Sequence, residues 1–583
     1  MCGIIGYVGK NDAVKVLING LKTLEYRGYD SAGIALKNKS IQVIKSVGKV
    51  SMLEDKLKTL DVIRANMGLA HTRWATHGKP SEVNAHPHVV GKVTIVHNGI
   101  IENAFELREK LEQEGVSFKT DTDTEVIAAL INKYYDGDAC DAIRKATDLV
   151  VGSYALGIMF DDEDYLYAIR KDSPLILGVG VDEYFMASDI AAIVNYTNKY
   201  MLLEEGEIAQ ISFEGINIYN SKKIVEKNIL ETSVVDEDKG KCGYKYYMLK
   251  EINEEPILVE RAIKNFYEKI DEFPNLNDYE EIHIVACGSA MYAGMIGKTL
   301  IEENTNIQVV CEVASEYRYK RVFYNRKTLV IVISQSGETA DTIAALRKAN
   351  ANNIDTLAIV NVKGSTIARE SKQQIYIEAG REVAVATTKA YILQVLVMAL
   401  LSCKSALKLD LVKNDLEKLP RLLKEVIDRR DDYKKLAKKI FKSEDIFFIG
   451  RKIDYAISLE GSLKLKEISY IHSEAYQAGE LKHGTISLIE ENTPVLAIIT
   501  DDDIKEKTLS NLEEVKARGA LPIVICNEKI DGYQDEILLP KVSTFFQAVL
   551  VVPCLQLIAY EVAILRGCDV DKPRNLAKSV TVE

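Results

Sequence analysis

Thr328-Leu329-Val330-Ile331-Val332-Ile333-Ser334-Gln335-Ser336-Gly337-Glu338-Thr339 is an unbroken apolar, mostly β-branched run that passes straight into a turn of hydroxyls and glycine. A strand that is apolar on both sides of its pleat has to be covered on both faces, as in a parallel sheet packed between helices. Ile282-His283-Ile284-Val285-Ala286-Cys287-Gly288 and Thr356-Leu357-Ala358-Ile359-Val360 flank it as strands of the same kind, separated by helical segments. The order returns downstream as Ile446-Phe447-Phe448-Ile449-Gly450, Pro494-Val495-Leu496-Ala497-Ile498-Ile499 and Leu521-Pro522-Ile523-Val524-Ile525-Cys526. The expectation is two doubly wound α/β domains related by an internal repeat, at residues 244–420 and 421–568.

The two copies differ in chemistry. After its second strand the first carries Ser334-Gln335-Ser336-Gly337-Glu338-Thr339, whereas the second carries Thr500-Asp501-Asp502-Asp503. Hydroxyls and backbone amides at a strand-to-helix turn cradle a phosphate at the positive end of the helix. Three aspartates repel one. A phosphate is therefore expected in the first copy only, assisted by Cys287-Gly288-Ser289 at the neighbouring strand end. The competing reading of the same turn is an ordinary helix cap.

Upstream, residues 222–243 read as a linker, because Glu231-Thr232-Ser233-Val234-Val235-Asp236-Glu237-Asp238-Lys239-Gly240-Lys241 is charged and has no periodicity. Residues 1–221 mix short strand-like runs (Ile208-Ala209-Gln210-Ile211, Ile216-Asn217-Ile218-Tyr219) with helical stretches at 12–24 and 124–134. That mixture suits sheets covered by helices. The chain begins Met1-Cys2-Gly3-Ile4-Ile5-Gly6. With Met1 removed, one residue would carry both a thiol nucleophile and an α-amine, whose ordinary pKa of about 7.7–8.0 suits a proton acceptor near neutrality.

Four further segments follow in order: Tyr26-Arg27-Gly28-Tyr29-Asp30-Ser31-Ala32-Gly33, His71-Thr72-Arg73-Trp74-Ala75-Thr76-His77-Gly78, His97-Asn98-Gly99 and Thr122-Asp123-Thr124-Glu125. With Cys2 they resemble the amino-terminal-nucleophile glutamine amidotransferase domain over roughly the first 220 residues, which implies an αββα sandwich there. The resemblance implies that Cys2 attacks the glutamine amide, Arg73 clamps the substrate carboxylate and Asp123 takes its ammonium. Asn98 and the Gly99 amide would form the oxyanion hole, with Trp74, Thr76 and His77 completing the glutamine site. The plainer readings are a surface ion pair for Arg73 and a hairpin turn at Asn98-Gly99. His71, His77, His86, His88 and His97 match no zinc spacing, and the expectation is loop histidines that orient backbone near the thiol.

The repeated half is similar to the paired sugar-isomerase domains of phosphosugar enzymes. With the tail Asp569-Val570-Asp571-Lys572-Pro573-Arg574-Asn575-Leu576-Ala577-Lys578-Ser579-Val580-Thr581-Val582-Glu583, the whole chain resembles the glutamine–fructose-6-phosphate aminotransferase family. That resemblance implies glutamine and fructose 6-phosphate as substrates, a homodimer and no separate cofactor. It places Ser289, Ser334, Gln335, Ser336, Thr339 and Thr387 round the sugar phosphate, and Lys578 in a Schiff base with the open-chain ketose. Glu467 would transfer the proton between adjacent sugar carbons with Lys464 and Glu460 beside it, and His483 would open the ring. Trp74 and Arg574 would line a passage for ammonia.

By spacing alone, Glu460, Lys464 and Glu467 fall on one helix face, which also suits a solvated salt-bridge ladder. Ser289-Ala290, Glu378 with Arg381, and His483-Gly484-Thr485 depart from the family's usual residues. They leave a paralogue acting on another phosphosugar, or a sugar-phosphate sensor, as alternatives.

A formal charge of -12 and pI near 5.5 argue against a nucleic-acid surface. The apolar 549–565 run is broken by Pro553, Gln556 and Glu561, so a buried helix is expected there and not a membrane span. Nine cysteines without a pairing pattern, and no signal-peptide pattern, suggest a cytoplasmic protein.

Overall fold

The computed structural model describes residues 2–61, 64–231, 240–325 and 327–581. These fall into two compact units, one running from the amino terminus through Glu231 and including Ala577–Thr581, the other from Gly240 to Leu576.

The first unit is a four-layer αββα sandwich. Its eight-stranded sheet runs Leu230–Glu231, Lys199–Leu202, Ile176–Val179, Glu183–Ala187, Gly3–Gly9, Met67–Arg73, Ser31–Lys37, Ile41–Val47 in spatial order. The seven-stranded sheet is centred on Val93–Ile101, Gly152–Phe160 and Leu166–Lys171. Strand Gly3–Gly9 is buried along its length because it has cores on both sides. Ile5 and Tyr7 pack under the helices Ala13–Leu24 and Val50–Thr59, while Ile4 and Val8 pack with Val96, Ala155 and Met159 of the other sheet. A third core seats Asp123–Tyr134 and its neighbouring helices on the second sheet's outer face.

Helix starts follow capping chemistry. Asp12 accepts from the Val14 amide and Thr122 from the Glu125 amide, satisfying first-turn donors. One plainer reading is excluded and one expectation changes. Asn98-Gly99 is not a hairpin turn but lies inside strand Val93–Ile101, paired with Ala155 and Tyr154. Ordered strands Lys223–Ile224 and Leu230–Glu231 extend the sheets into the segment read as linker from residue 222. Of that segment, residues 232–239 lie outside the described residues.

The second unit holds two five-stranded parallel sheets. In each, counting strands in chain order, the spatial order is 2-1-3-4-5. The first strands are Glu281–Ala286 and Asp445–Gly450, and the third strands are Thr328–Ser334 and Pro494–Ile499. One hydrophobic core joins both copies. Through it runs helix Thr544–Leu565, apolar enough to span a membrane by composition, yet with 89% of its most apolar window buried inside the protein.

Candidate active site

In the first unit one pocket is lined by Cys2, Arg73, Trp74, Thr76, Asn98, Gly99 and Asp123, which are seven of the eight residues expected round glutamine. The eighth, His77, is exposed and does not line the pocket; its backbone carbonyl accepts from Arg73 instead. Arg73 also donates to Gly78 O at 3.0 Å. Its Nη1, though buried, has no hydrogen-bond partner among the described residues, leaving a guanidinium edge suited to a carboxylate. Asp123 is held by the Ile101 amide at 2.9 Å.

Gly99 has φ 139°, and a Cβ there would sit 2.0 Å from Ser153 O, so only glycine permits this backbone course. The Cys2 thiol accepts from the Trp74 amide at 3.3 Å. Burial raises its pKa, outweighing the amino-terminal charge, the Trp74 hydrogen bond and Arg73. A thiol kept neutral at rest needs a base to take its proton during attack. Asp30, unmarked as a site residue in the sequence, holds this loop by accepting from the Ala75 amide at 2.8 Å.

Three of the five histidines are corrected from loops to strands: His71 lies on Met67–Arg73, His88 on His88–Val90 and His97 on Val93–Ile101, while His77 and His86 lie in loops as expected. They were legible as a cluster in sequence, but their strand positions follow from pairing across the sheet. Burial lowers the pKa of His71 to about 3 and pushes those of His86, His88 and His97 down as well. The unfolded chain therefore binds protons that the folded unit refuses, and stability falls as pH drops from 6.5 toward 3. At pH 5, His71 alone should cost about 2 kcal/mol. Trp74, the one tryptophan, reports on this unit. Its fluorescence in urea titrations should show a clearly lower unfolding midpoint at pH 5 than at pH 7.5; equal midpoints would contradict the assignment of neutral buried imidazoles.

In the second unit, the Ser334–Thr339 turn lies at the end of the third strand of the first sheet, and Cys287-Gly288-Ser289 at the end of the first strand. Strand order reverses between those two strands, the place where open α/β sheets bind ligands. Ser334 Oγ accepts from the Gly337 amide at 3.0 Å and lies 2.9 Å from Thr339 Oγ1. Ser336 Oγ accepts from the Glu338 amide at 3.1 Å. Gly337 has φ 66°, and a Cβ there would meet Ser365 Oγ at 2.0 Å. Thr339 is the N-cap of helix Ala340–Ala351 but does not cap it with its side chain. Gln335 shares the turn, its carbonyl accepting from the Asn361 amide. Thr387 donates to Glu382 at 2.8 Å.

The second copy is built differently. At the end of its third strand, the Thr500 amide and hydroxyl both donate to Asp454. Lys541 and Lys452 pair with Asp502 and Asp501.

Helix Ile453–Ser469 carries Glu460, Lys464 and Glu467, and it packs against Gly288–Asn304 of the first copy. Lys464 lies 2.5 Å from Glu467 and 3.6 Å from Glu460. Glu460 and Lys464 are each 1% exposed, which excludes a solvated ladder. Burial raises the Glu460 pKa to about 7 against the pull of Lys464. Burial also opposes the Lys464 charge, but both carboxylates outweigh it and raise that pKa; an ammonium held charged is no nucleophile.

His483 lies in an exposed turn, outside this buried cluster. Through Thr581 the tail is ordered. Asp571 accepts from the Tyr247 and Met248 amides, both at 2.9 Å, and Arg574 stacks on Tyr470 at 4.2 Å. From Ala577 on, the tail packs with the first unit. Lys578 belongs to that segment, and Thr581 lines the Cys2 pocket, a contact nothing in the sequence announced.

Residues 71–195 match the glutamine amidotransferase domain family, and residues 275–403 and 439–566 each match the SIS domain family. Glutamine–fructose-6-phosphate aminotransferase (isomerizing) of Caldanaerobacter subterraneus subsp. tengcongensis is 46% identical over 611 residues, covering all of both chains. The enzyme of that name from Thermus thermophilus is 42% identical over 605 residues with the same coverage. Among solved structures, the C-terminal domain of glucosamine-fructose-6-phosphate aminotransferase from Francisella tularensis superposes with a TM-score of 0.54 at 35% identity, covering 57% of this chain and 99% of that one. By full-length identity, matched domains and fold, the chain belongs to the glutamine–fructose-6-phosphate aminotransferase (isomerizing) family.

Proposed function

We propose that the chain hydrolyses glutamine at Cys2 and transfers the ammonia to fructose 6-phosphate with isomerisation, giving glutamate and glucosamine 6-phosphate. The observation that carries this reading is one pocket lined by thiol, guanidinium, carboxylate and oxyanion donors, in a chain that matches relatives of that name along its whole length. The α-amine takes the thiol proton as sulfur attacks the amide carbon. Asn98 and the Gly99 amide receive the charge gathering on oxygen, a contribution of about 3–4 kcal/mol per donor. The α-ammonium returns that proton to the departing nitrogen as the C–N bond breaks, ammonia leaves, and water then releases glutamate from the thioester and frees the thiol.

At the sugar, the Ser334–Thr339 turn and Ser289 would hold the phosphate, and Thr387 the sugar body. Lys578 would form an imine at C2, Glu467 would move a proton between C1 and C2, and Lys464 would hold Glu467 in place. His483, being exposed, is free to serve a second copy in a homodimer. Trp74 and Arg574 would keep the ammonia from solvent, where protonation would remove its lone pair.

Incubation with glutamine and a panel of ketose and aldose phosphates, read by product mass, tests the substrate. Hexosamine 6-phosphate formed from fructose 6-phosphate alone supports the reading, and preference for another phosphosugar overturns it. Thr339→Ala should weaken fructose 6-phosphate binding about tenfold or more, as for a hydrogen bond to a charged group, while Asp502→Ala leaves it unchanged. Calorimetric titration giving the opposite pattern would move the phosphate to the second copy.

A further inference from the structure

Behind the thiol the four buried imidazoles form a packed group. His71 and His86 stack with ring centroids 4.1 Å apart, and His88 meets His86 edge-on at 4.6 Å. Thr124 Oγ1 lies 2.9 Å from His86 Nε2 and 3.0 Å from His97 Nδ1, and Thr122 Oγ1 lies 3.3 Å from His88 Nε2. The group thus ties together the strands bearing Arg73 and Asn98 and the helix start bearing Asp123. None of these rings reaches a metal-binding arrangement among the described residues.

His71 has a more specific place. Its Nε2 lies 3.0 Å from the His97 carbonyl and 3.1 Å from Asn98 Oδ1. A backbone carbonyl only accepts, so Nε2 carries the proton. Nδ1 is buried without a hydrogen-bond partner among the described residues. On its other side Asn98 donates from Nδ2 to the Cys2 carbonyl at 3.0 Å. Turning the carboxamide over would set its NH2 against the Nε2–H and its oxygen against the Cys2 oxygen, two clashes of like groups in a site where buried polar groups need partners. Two fixed backbone acceptors, His97 O and Cys2 O, therefore determine both the imidazole tautomer and the amide orientation.

We propose that His71 is a positioning residue for glutamine cleavage: its Nε2–H holds the Asn98 carboxamide with the NH2 turned to where the acyl oxygen gathers charge. The proposal rests on the glutaminase reading of the pocket. His71 touches neither thiol nor substrate, and acts through Asn98.

Three readouts separate this role from a structural one. Alkylation of Cys2 by iodoacetamide, followed on the Cys2 peptide by mass, displaces iodide at a saturated carbon and develops no oxyanion. Glutamine hydrolysis does develop one. Glutamate γ-semialdehyde adds the thiol to its carbonyl and places the resulting oxygen in the same cradle. His71→Leu should lower kcat about 10- to 100-fold, part of the 10²–10³ that a lost oxyanion donor costs, and weaken aldehyde inhibition by the same factor. KM and the alkylation rate should stay within about twofold. His71→Gln, which keeps an N–H near the Nε2 position, should recover most of the activity. In an Asn98→Ala background, adding His71→Leu should cost nothing further.

Alkylation falling in step with turnover, costs that add in the double variant, or full activity in His71→Leu would each overturn the proposal. Should the leucine variant fail to fold, judged by Trp74 fluorescence, His71→Asn takes its place under the same criteria, its amide being too short to reach Asn98. Failure of the underlying reading looks different: the unmodified protein would release no glutamate from glutamine, or Cys2→Ala would release it equally fast.

Discussion

Cys2→Ala is expected to abolish glutamate release from glutamine, by about 10⁴-fold or more, the scale on which enzymes lose rate when a covalent nucleophile is removed. The fold should survive, because Cys2 is only partly buried and, among the described residues, its thiol makes hydrogen bonds only to the Trp74 backbone. An extension fused ahead of Met1 should have nearly the same effect, since it converts the proposed α-amine base into a peptide nitrogen with no basic lone pair. Met1 itself lies outside the described residues, so intact mass has to establish its removal. A glutamine-mimicking electrophile should label Cys2 and none of the other eight cysteines. Activity in the alanine variant above a few per cent, or labelling elsewhere with loss of activity, would contradict the role of Cys2.

Lys578→Arg is expected to lower amino-sugar synthesis about a thousandfold or more, equivalent to about 4 kcal/mol of lost transition-state stabilisation, while glutamine hydrolysis stays measurable. Arginine keeps the charge but cannot form the imine. The competing amine, Lys464, is fixed as an ammonium between Glu460 and Glu467, which disqualifies it as a nucleophile. Borohydride added with fructose 6-phosphate should therefore leave the sugar's mass on the peptide containing Lys578. An adduct on Lys464, or normal synthesis by Lys578→Arg, would reduce the carboxy-terminal segment to a structural element.

The parts of this molecule legible in sequence are those where one physical demand dominates. Strands Thr328–Ser334 and Pro494–Ile499 are buried on both faces, so they had to be apolar throughout and were read directly. Strands Gln308–Val313 and His472–Gln477 escaped because each is an edge strand, half exposed and mixed in composition. Residues round the thiol were legible through the resemblance carried by several short motifs in order, and their types fit a zwitterionic amide substrate, which demands a cation, an anion and an oxyanion cradle.

What escaped there was long-range. Asp30 reaches Ala75, Thr581 reaches the Cys2 pocket from the far end of the chain, and Asp571 caps a helix that begins at Tyr247. None of these leaves a local pattern. For the Asn98-Gly99 pair, residue type alone also suited a turn, the plainer of its two readings; strand pairing on the Gly152–Phe160 side overrides that local propensity.

Coupling of the two reactions is decided by supplying glutamine labelled with ¹⁵N at the amide, with fructose 6-phosphate, in a large excess of unlabelled ammonium. Hexosamine 6-phosphate should carry the amide ¹⁵N, in step with glutamate release. An amino sugar carrying unlabelled nitrogen from solution, or glutamate released with no aminated sugar formed, would contradict the coupling.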